Sequence, residues 1–350
     1  MGKLTIRENV ALGPLTTLGV GGPARYFAVA NDEADVADAV RWAAGRGLPL
    51  FVLGGGSNLL VSDEGFPGLV LQIAIKGVRD CGKGCLEVGA GEVWDEFVDR
   101  MVKAGMQGVE CLAGIPGSVG GTPVQNVGAY GQEVAETIVL VRAFDRKTGG
   151  FVELNREACK FRYRKSLFNT DEPDRYIVTR VDFELHPSGQ AQVTYGDVKR
   201  HFANSTDIID LPSVASAVRG IRRRKGMLIV AGDPDCRSAG SFFKNPVVIT
   251  RRLGEVAIAA AVGEESVPHW PAGDGEVKLS AAWLIERAGF GKGFTDGAAG
   301  ISSRHTLALI NRGGASAADI ERLQARIQDG VRARFGVSLE REPVKLDACV

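Results

Sequence analysis

Two glycine-rich stretches carry the residue types suited to gripping a large anionic ligand. One runs from Gly114 to Gly131 (GIPGSVGGTPVQNVGAYG) and the other from Leu53 to Leu60 (LGGGSNLL). Neither fits an ordinary helix or central strand, because glycine gives up extra backbone entropy there and Pro116 and Pro123 lack an N–H. Such segments instead bring bare backbone N–H groups close to a pyrophosphate. Ser57, Asn58, Ser118, Thr122, Gln125 and Asn126 add side-chain hydrogen bonds. One loop of this kind reads as a turn. Two of them, each mixed with amides and hydroxyls, point to a pyrophosphate-bearing cofactor.

The remaining chemistry is sparse. Histidine occurs only at 186, 201, 269 and 305, with no GxSxG elbow, no HExxH and no carboxylate cluster for a catalytic metal. Arginine, serine and glutamate are left. The segment Lys160–Ser166 (KFRYRKS) holds Arg162, Arg164 and Lys165, equally basic and equally suited to a solvated charge run. Ser241 follows Gly240 and precedes Phe242 and Phe243, which could set a hydroxyl in a dry pocket; a loop serine also serves as a cap. Glu340 and Glu342 read as solvated strand residues. The residues alone give a cofactor-binding α/β protein of undetermined chemistry.

The elements that must position these groups follow from pattern. The 350 residues allow two or three domains and a large core. Lys+Arg and Asp+Glu both total 42, so nothing argues for broad attraction to nucleic acid or membranes. Six cysteines (81, 85, 111, 159, 236 and 349) lack zinc-site spacing and suit reduced thiols. With no signal peptide and no bilayer-length apolar run, a soluble cytoplasmic protein is expected.

Residues 9–27 read as a loop leading into a strand. Their GVGGPA segment at 19–24 imitates GxGxxA, but Pro23 and the lack of a preceding strand reject a dinucleotide-binding site. Helices are predicted from Asn31 or Asp32 to Gly45, over 92–104, from Pro212 to the basic run Arg222–Lys225, over 279–288, and from a Ser316 cap to Phe335. The basic run is expected to end a domain. Strands are predicted at Leu48–Leu53, Thr137–Phe144, Tyr176–Leu185 and Val337–Leu346, and residues 193–198 as a strand end running into a turn.

The ordered motifs LGGGSNLL, GIPGSVGGTPVQNVGAYG, YRKSLF (163–168), TYGD (194–197), AGSFFKNP (239–246) and LEREPV (339–344) resemble the UDP-N-acetylenolpyruvoylglucosamine reductase family across nearly the whole chain. PVQN at 123–126 and the Tyr195 loop are similar to its type I branch. The resemblance implies an α+β protein with the FAD-binding fold of the vanillyl-alcohol oxidase (PCMH) type. Its two α+β subdomains would cover 1–72 and 73–226, a substrate-binding domain 227–336, and a tail at 337–350 would return to the active site. FAD would be non-covalent, NADPH the reductant, and UDP-N-acetylglucosamine enolpyruvate the substrate of a monomeric enzyme.

For FAD, the resemblance implies contacts from Gly54, Gly55, Gly56, Ser57, Asn58, Leu59, Gly114, Ile115, Pro116, Gly117, Ser118, Gly120, Gly121, Gln125, Asn126, Gly128, Ala129 and Tyr130. For substrate it implies Tyr163, Tyr195, Lys225 and Asn245, with Trp270 and His305 standing where relatives have tyrosine and glutamine. Arg164, Ser241 and Glu342 correspond to the catalytic arginine, proton donor and tail glutamate. Pro343 stands where relatives have valine, which makes Glu340 the alternative; the leucine-glutamate-x-glutamate spacing keeps Glu342.

Overall fold

The computed structural model describes residues 4–205 and 208–347, so Cys349 and the last residues of the tail lie outside the described part. The first half rests on a four-stranded sheet in the order β1 (Arg7–Ala11), β2 (Pro23–Ala30), β5 (Phe66–Ile73), β3 (Leu50–Leu53). β5 is parallel to both neighbours and buries Leu69, Val70 and Leu71 completely, the continuous apolar run of a covered parallel strand. Helix α1 (Glu33–Ala44) covers one face through Val36, Ala39 and Ala43. It starts at Asp32, whose carboxylate accepts the Asp35 N–H at 2.8 Å.

β1 corrects the reading of residues 9–27 as a loop, since a strand does precede the GVGGPA segment. The rejection of a dinucleotide site stands on other grounds: a strand, not a helix, follows. Its glycines serve packing, since a Cβ on Gly21 would lie 2.4 Å from the Val61 side chain and one on Gly22 2.2 Å from the Asp63 carbonyl.

A second sheet of five antiparallel strands runs Gly150–Asn155, Ile138–Asp145, Tyr176–Glu184, β7 (Cys85–Gly89), β6 (Val78–Gly82). Helix α2 (Trp94–Lys103) packs on it with Trp94, Phe97, Val98, Met101 and Val102 buried. The rings of Trp94, Phe97 and Phe183 lock helix to sheet, with Phe97 and Phe183 5.1 Å apart. Helix α3 (Gly196–Phe202) occupies the region expected to be a strand end. The pattern failed there because the helix is short and buries only Val198. Helix α4 (Leu211–Arg224) follows a reciprocal cap between Asp210 and Ser213.

The last third has its own core, in which Phe242, Phe243, Leu284, Ile285, Ile320, Leu323, Ile327 and Val331 are fully or almost fully buried. Helices α5 (Arg251–Ala260), α6 (Ala281–Arg287) and α7 (Ala317–Phe335) surround two small antiparallel sheets. One comprises Val247–Ile249, Glu276–Leu279 and His269–Gly273; the other comprises Thr295–Asp296, Ala299–Ile301 and Leu309–Asn311. The predicted strand Val337–Leu346 is shorter than expected. Only Val344–Leu346 forms one, parallel to β4 (Leu59–Val61), because the preceding residues thread between loops. Cys111 and Cys159 are buried, and desolvation pushes both thiols up to about 12.

The ties that hold this C-terminal part against the first half include three at its edge. The tail strand pairs with β4, Asn311 Nδ2 donates to the Leu18 carbonyl at 3.2 Å, and Asp63 caps α7. The Asp63 carboxylate accepts the N–H groups of Ala317 at 2.7 Å and Ala318 at 3.0 Å. Losing a side-chain cap costs about 1 kcal/mol. Asp63→Ala is therefore expected to lower stability in urea melts by that amount, while Asp63→Asn, which keeps one of the two acceptor oxygens, recovers part of it. An unchanged midpoint for the alanine variant would deny the tie any energetic role.

Candidate active site

The two glycine loops face each other at close range. Ser57 Oγ donates to the Pro116 carbonyl at 3.0 Å, and Asn58 Nδ2 donates to Gln125 Oε1 at 2.8 Å. A Cβ on Gly55 would sit 2.6 Å from Gly117 Cα, and one on Gly54 2.6 Å from Ser118 Oγ. Gly56 (φ 63°) and Gly117 (φ 127°) hold conformations that other residues rarely adopt. Among the described residues, no protein acceptor takes the N–H groups of Gly54, Gly55 and Gly56. Gly120 and Gly121 differ, since their N–H groups go to the carbonyls of Ala90 and Ser118. A narrow cradle of bare donors is what a pyrophosphate requires, and the residues present fit one.

The cradle forms one wall of a cleft of about 1200 Å³ that runs to the C-terminal part. Of the eighteen residues named for the cofactor, Gly114 and Asn126 do not line it. The Gly114 N–H is taken by Asp95 Oδ1 at 2.6 Å and its carbonyl by Arg222 Nε at 2.9 Å. Asn126 is buried and spends its amide on Glu133 Oε2 at 2.7 Å and on the Arg162 carbonyl. Both shape the loop from behind.

Arg164, Ser241 and Glu342 all reach the cleft. Arg164 stands at the tip of a tight turn closed by Arg162 and Lys165, with φ at 56°. Its Nη2 donates to the Gly128 carbonyl at 2.6 Å, and its Nε pairs with Glu342 Oε1 at 3.3 Å. The tail reaches this point by threading: the Glu342 N–H donates to the Phe242 carbonyl at 2.9 Å, and the Val344 N–H to the Asn58 carbonyl at 3.0 Å. Glu342 thus lies between the residue after Ser241 and the first glycine loop. Burial raises its pKa above the usual carboxylate range, with Arg164 and Lys244 pulling the other way. Glu340 points elsewhere; its side chain is 73% exposed and pairs with Lys244 Nζ. Ser241 is half-buried, and its hydroxyl has no protein partner among the described residues.

The far wall gathers the residues read as substrate contacts. The Tyr195 ring packs edge-on to Tyr130 at 5.6 Å, half-exposed at the rim. Lys225 Nζ pairs with Asp197 Oδ2 at 2.6 Å, and Asn245 Oδ1 accepts the Ala281 N–H at 3.0 Å. Trp270 is half-exposed on the strand facing Lys278, whose Nζ lies 4.5 Å over the Tyr163 ring. His305 Nδ1 accepts the Leu307 N–H at 3.0 Å, so the neutral ring carries its proton on Nε2. Burial, then Lys225 and Lys292, hold its pKa down to about 4.

The cleft also takes in Thr17, Arg222, Lys244 and Lys278, which the sequence reading did not single out. Lys244 sat inside a quoted motif. Arg222 opens the basic run expected to end a domain; it is buried and donates to the carbonyls of Gly114 and Met227. Lys278 lies in the strand Glu276–Leu279, which alternates but is too short for a period to stand out.

The glycine cradle on an α+β core, with an arginine on a turn of that core and a carboxylate on the C-terminal tail, belongs to an FAD-dependent oxidoreductase, the class that comparison with known proteins shows. Residues 24–155 match the FAD binding domain family, and residues 233–346 match the UDP-N-acetylenolpyruvoylglucosamine reductase C-terminal domain. The chain is 47% identical over 343 residues to the UDP-N-acetylenolpyruvoylglucosamine reductase of Streptomyces coelicolor, covering 96% of this chain and 89% of that one. It is 48% identical over 351 residues to that of Saccharopolyspora erythraea, covering 97% and 95%. The solved UDP-N-acetylenolpyruvylglucosamine reductase from Thermus caldophilus superposes with a TM-score of 0.69 at 30% identity, covering 98% of this chain and 99% of that one. The chain belongs to the UDP-N-acetylenolpyruvoylglucosamine reductase family. Among the described residues, no group of three His, Cys, Asp or Glu could hold a metal, and no helix is long and apolar enough to cross a membrane.

Two outcomes are expected. Gly55→Ala forces a methyl against the Gly117 backbone, and overpacking of this kind costs about 1–3 kcal/mol. FAD affinity should fall by roughly one to two orders of magnitude, read as the flavin-to-protein absorbance ratio after dialysis; an unchanged ratio would show that the loops part easily. His305 binds a proton near pH 6.5 when unfolded but only near 4 when folded. The unfolded chain therefore holds more protons between these values, and stability falls as pH drops through that window. His305→Gln should remove a loss of roughly 2 kcal/mol at pH 5 relative to pH 7. Parallel pH–stability curves for the two proteins would contradict this.

Proposed function

We propose that the chain reduces UDP-N-acetylglucosamine enolpyruvate to UDP-N-acetylmuramate with NADPH, through non-covalent FAD, in peptidoglycan precursor synthesis. The observation that carries this reading is the Arg164–Glu342 pair at 3.3 Å, on the same cleft as Ser241 and the glycine cradle. Bound FAD would supply hydride chemistry, accepting from NADPH and delivering to the enolpyruvyl methylene carbon. Gly54 to Leu59 and the Ile115–Ser118 backbone would hold it, with Ser57, Asn58 and Ser118 as side-chain donors.

The protein's own residues would do the rest. As hydride arrives, negative charge spreads from the adjacent carbon into the carboxylate. Arg164, fixed by the Gly128 carbonyl, presents a permanent positive charge to that enolate. Ser241 gives its proton to the carbon next to the carboxylate; a weak acid suffices because the enolate carbon is a strong base. Glu342, favoured in its neutral form by burial, can donate to the substrate carboxylate instead of repelling it.

Tyr195 would close over the nucleotide part, while Lys225, Asn245, Tyr163, Trp270 and His305 would line its path. The type I branch is supported by PVQN at 123–126 and by the Tyr195 ring standing over Tyr130. The reading divides the chain at 72, 226 and 336; a core built mostly from residues 242–339 supports the boundary at 226. A cytoplasmic monomer completes the reading.

Separating the two half-reactions provides the test. Ser241→Ala should leave anaerobic bleaching of the flavin by NADPH at its normal rate. Return of colour on adding the enolpyruvyl substrate should slow by about 10²–10⁴-fold, the usual contribution of a placed proton donor. Equal slowing of both halves would make Ser241 a structural residue.

A further inference from the structure

Behind the far wall lies a buried ionic cluster that the proposed reaction does not use. Asp235, 5% exposed, accepts hydrogen bonds from Ser302 Oγ (3.0 Å), Ser303 Oγ (2.8 Å), the Ser303 N–H (3.4 Å) and Arg304 Nε (3.0 Å). Arg304 Nη2 reaches Asp233, and Nη1 donates to the Arg223 carbonyl at 3.1 Å. A carboxylate so placed fixes two segments at once. One is the end of α4, two residues from Lys225. The other is the 302–307 turn, in which Ser302 Oγ also accepts the His305 N–H at 3.3 Å. From that turn the Leu307 carbonyl accepts the Phe242 N–H at 2.7 Å, next to Ser241.

We propose that Asp235 and Arg304 are positioning residues of the active site, holding His305 and Lys225 at the spacing that grips the diphosphate of the nucleotide substrate. The inference rests on the functional reading above, which puts the nucleotide on this wall. Three features support it. The packing at the hub is tight, since a Cβ on Gly226 would lie 3.2 Å from Arg304 Nε, Asp235 Cβ and Ser302 Oγ. The His305 ring is oriented from within the same turn, by the Leu307 N–H on Nδ1. Neither Asp235 nor Arg304 lines the cleft, so any effect on ligand must pass through the groups they hold.

Asp235→Asn keeps the shape and removes the charge. With UDP-N-acetylglucosamine enolpyruvate as the varied substrate, KM is expected to rise about tenfold or more, a loss typical of a charge-assisted contact, with kcat within about threefold. The dissociation constant of UDP alone should rise in parallel. The His305 ring, followed by NMR, should titrate higher than in the parent as its turn loosens, and Asp235→Glu should recover part of the affinity. A KM within twofold of the parent, together with a lowered melting temperature, would make the cluster purely structural and overturn the proposal. If Asp235→Asn does not fold, Ser303→Ala removes one hydrogen bond to the same carboxylate. A threefold rise in KM would support positioning, and no rise would overturn it. If the parent itself neither binds UDP nor turns over the enolpyruvyl substrate, the functional reading fails, and this inference with it.

Discussion

The tail strand on β4 is the contact on which the rest of the site depends. Val344–Leu346 pair in parallel with Leu59–Val61, directly after the glycine cradle. That pairing sets the register of the preceding residues to within one position. A slip of one would turn Glu342 away from Arg164 and bring a neighbour in its place, because side chains along extended backbone alternate in direction. Pro343 helps hold the register, since it has a fixed φ and no N–H to offer a competing partner. The neighbouring residues do the bonding, through the Glu342 N–H to Phe242 and the Val344 N–H to Asn58. One short segment thus joins the cradle, the Ser241 loop and the arginine turn.

Electrostatics at that junction follow from burial. Glu342 is desolvated, which favours its neutral form, and Arg164 and Lys244 oppose this without cancelling it. Lys244 is itself tied to the exposed Glu340, so the two tail glutamates occupy different environments two residues apart. The arrangement separates a surface ion pair, worth little in water, from a buried pair whose geometry matters. Arg164 needs its left-handed backbone for this, because the tight turn aims its guanidinium at Gly128 and Glu342 together. Strain of that kind persists only where the surroundings over-determine it.

How much of this was legible in the sequence depends on the length of the signal. Helices α1, α2, α4 and α7 announced themselves through apolar stripes and caps such as Asp32 and Ser316. Helix α3 did not, having seven residues and one buried side chain, too little for a period to emerge. The two small sheets of the last third were missed because their strands are only two to five residues long, too short for a period to stand out even where polar and apolar residues alternate, as in Glu276–Leu279. The glycine loops were legible as chemistry, yet Gly114 and Asn126 were indistinguishable there from their neighbours. Which glycine faces a ligand and which faces Arg222 is decided by residues far along the chain.

The same limit explains why Asp235 was invisible. Its partners are Ser302, Ser303 and Arg304, almost seventy residues on, and each residue type is ordinary in a loop. Only folding places four donors on one carboxylate. Removing such a carboxylate from water is unfavourable unless it is hydrogen-bonded, and here four donors meet it, three of them on Oδ2. Its pKa accordingly stays below the usual aspartate range: burial would raise it, but the hydrogen bonds of Ser303, Arg304 and Ser302 outweigh that. The cluster is therefore charged, satisfied and rigid. Those properties let a group with no access to the cleft hold Lys225 and His305 apart at a fixed distance.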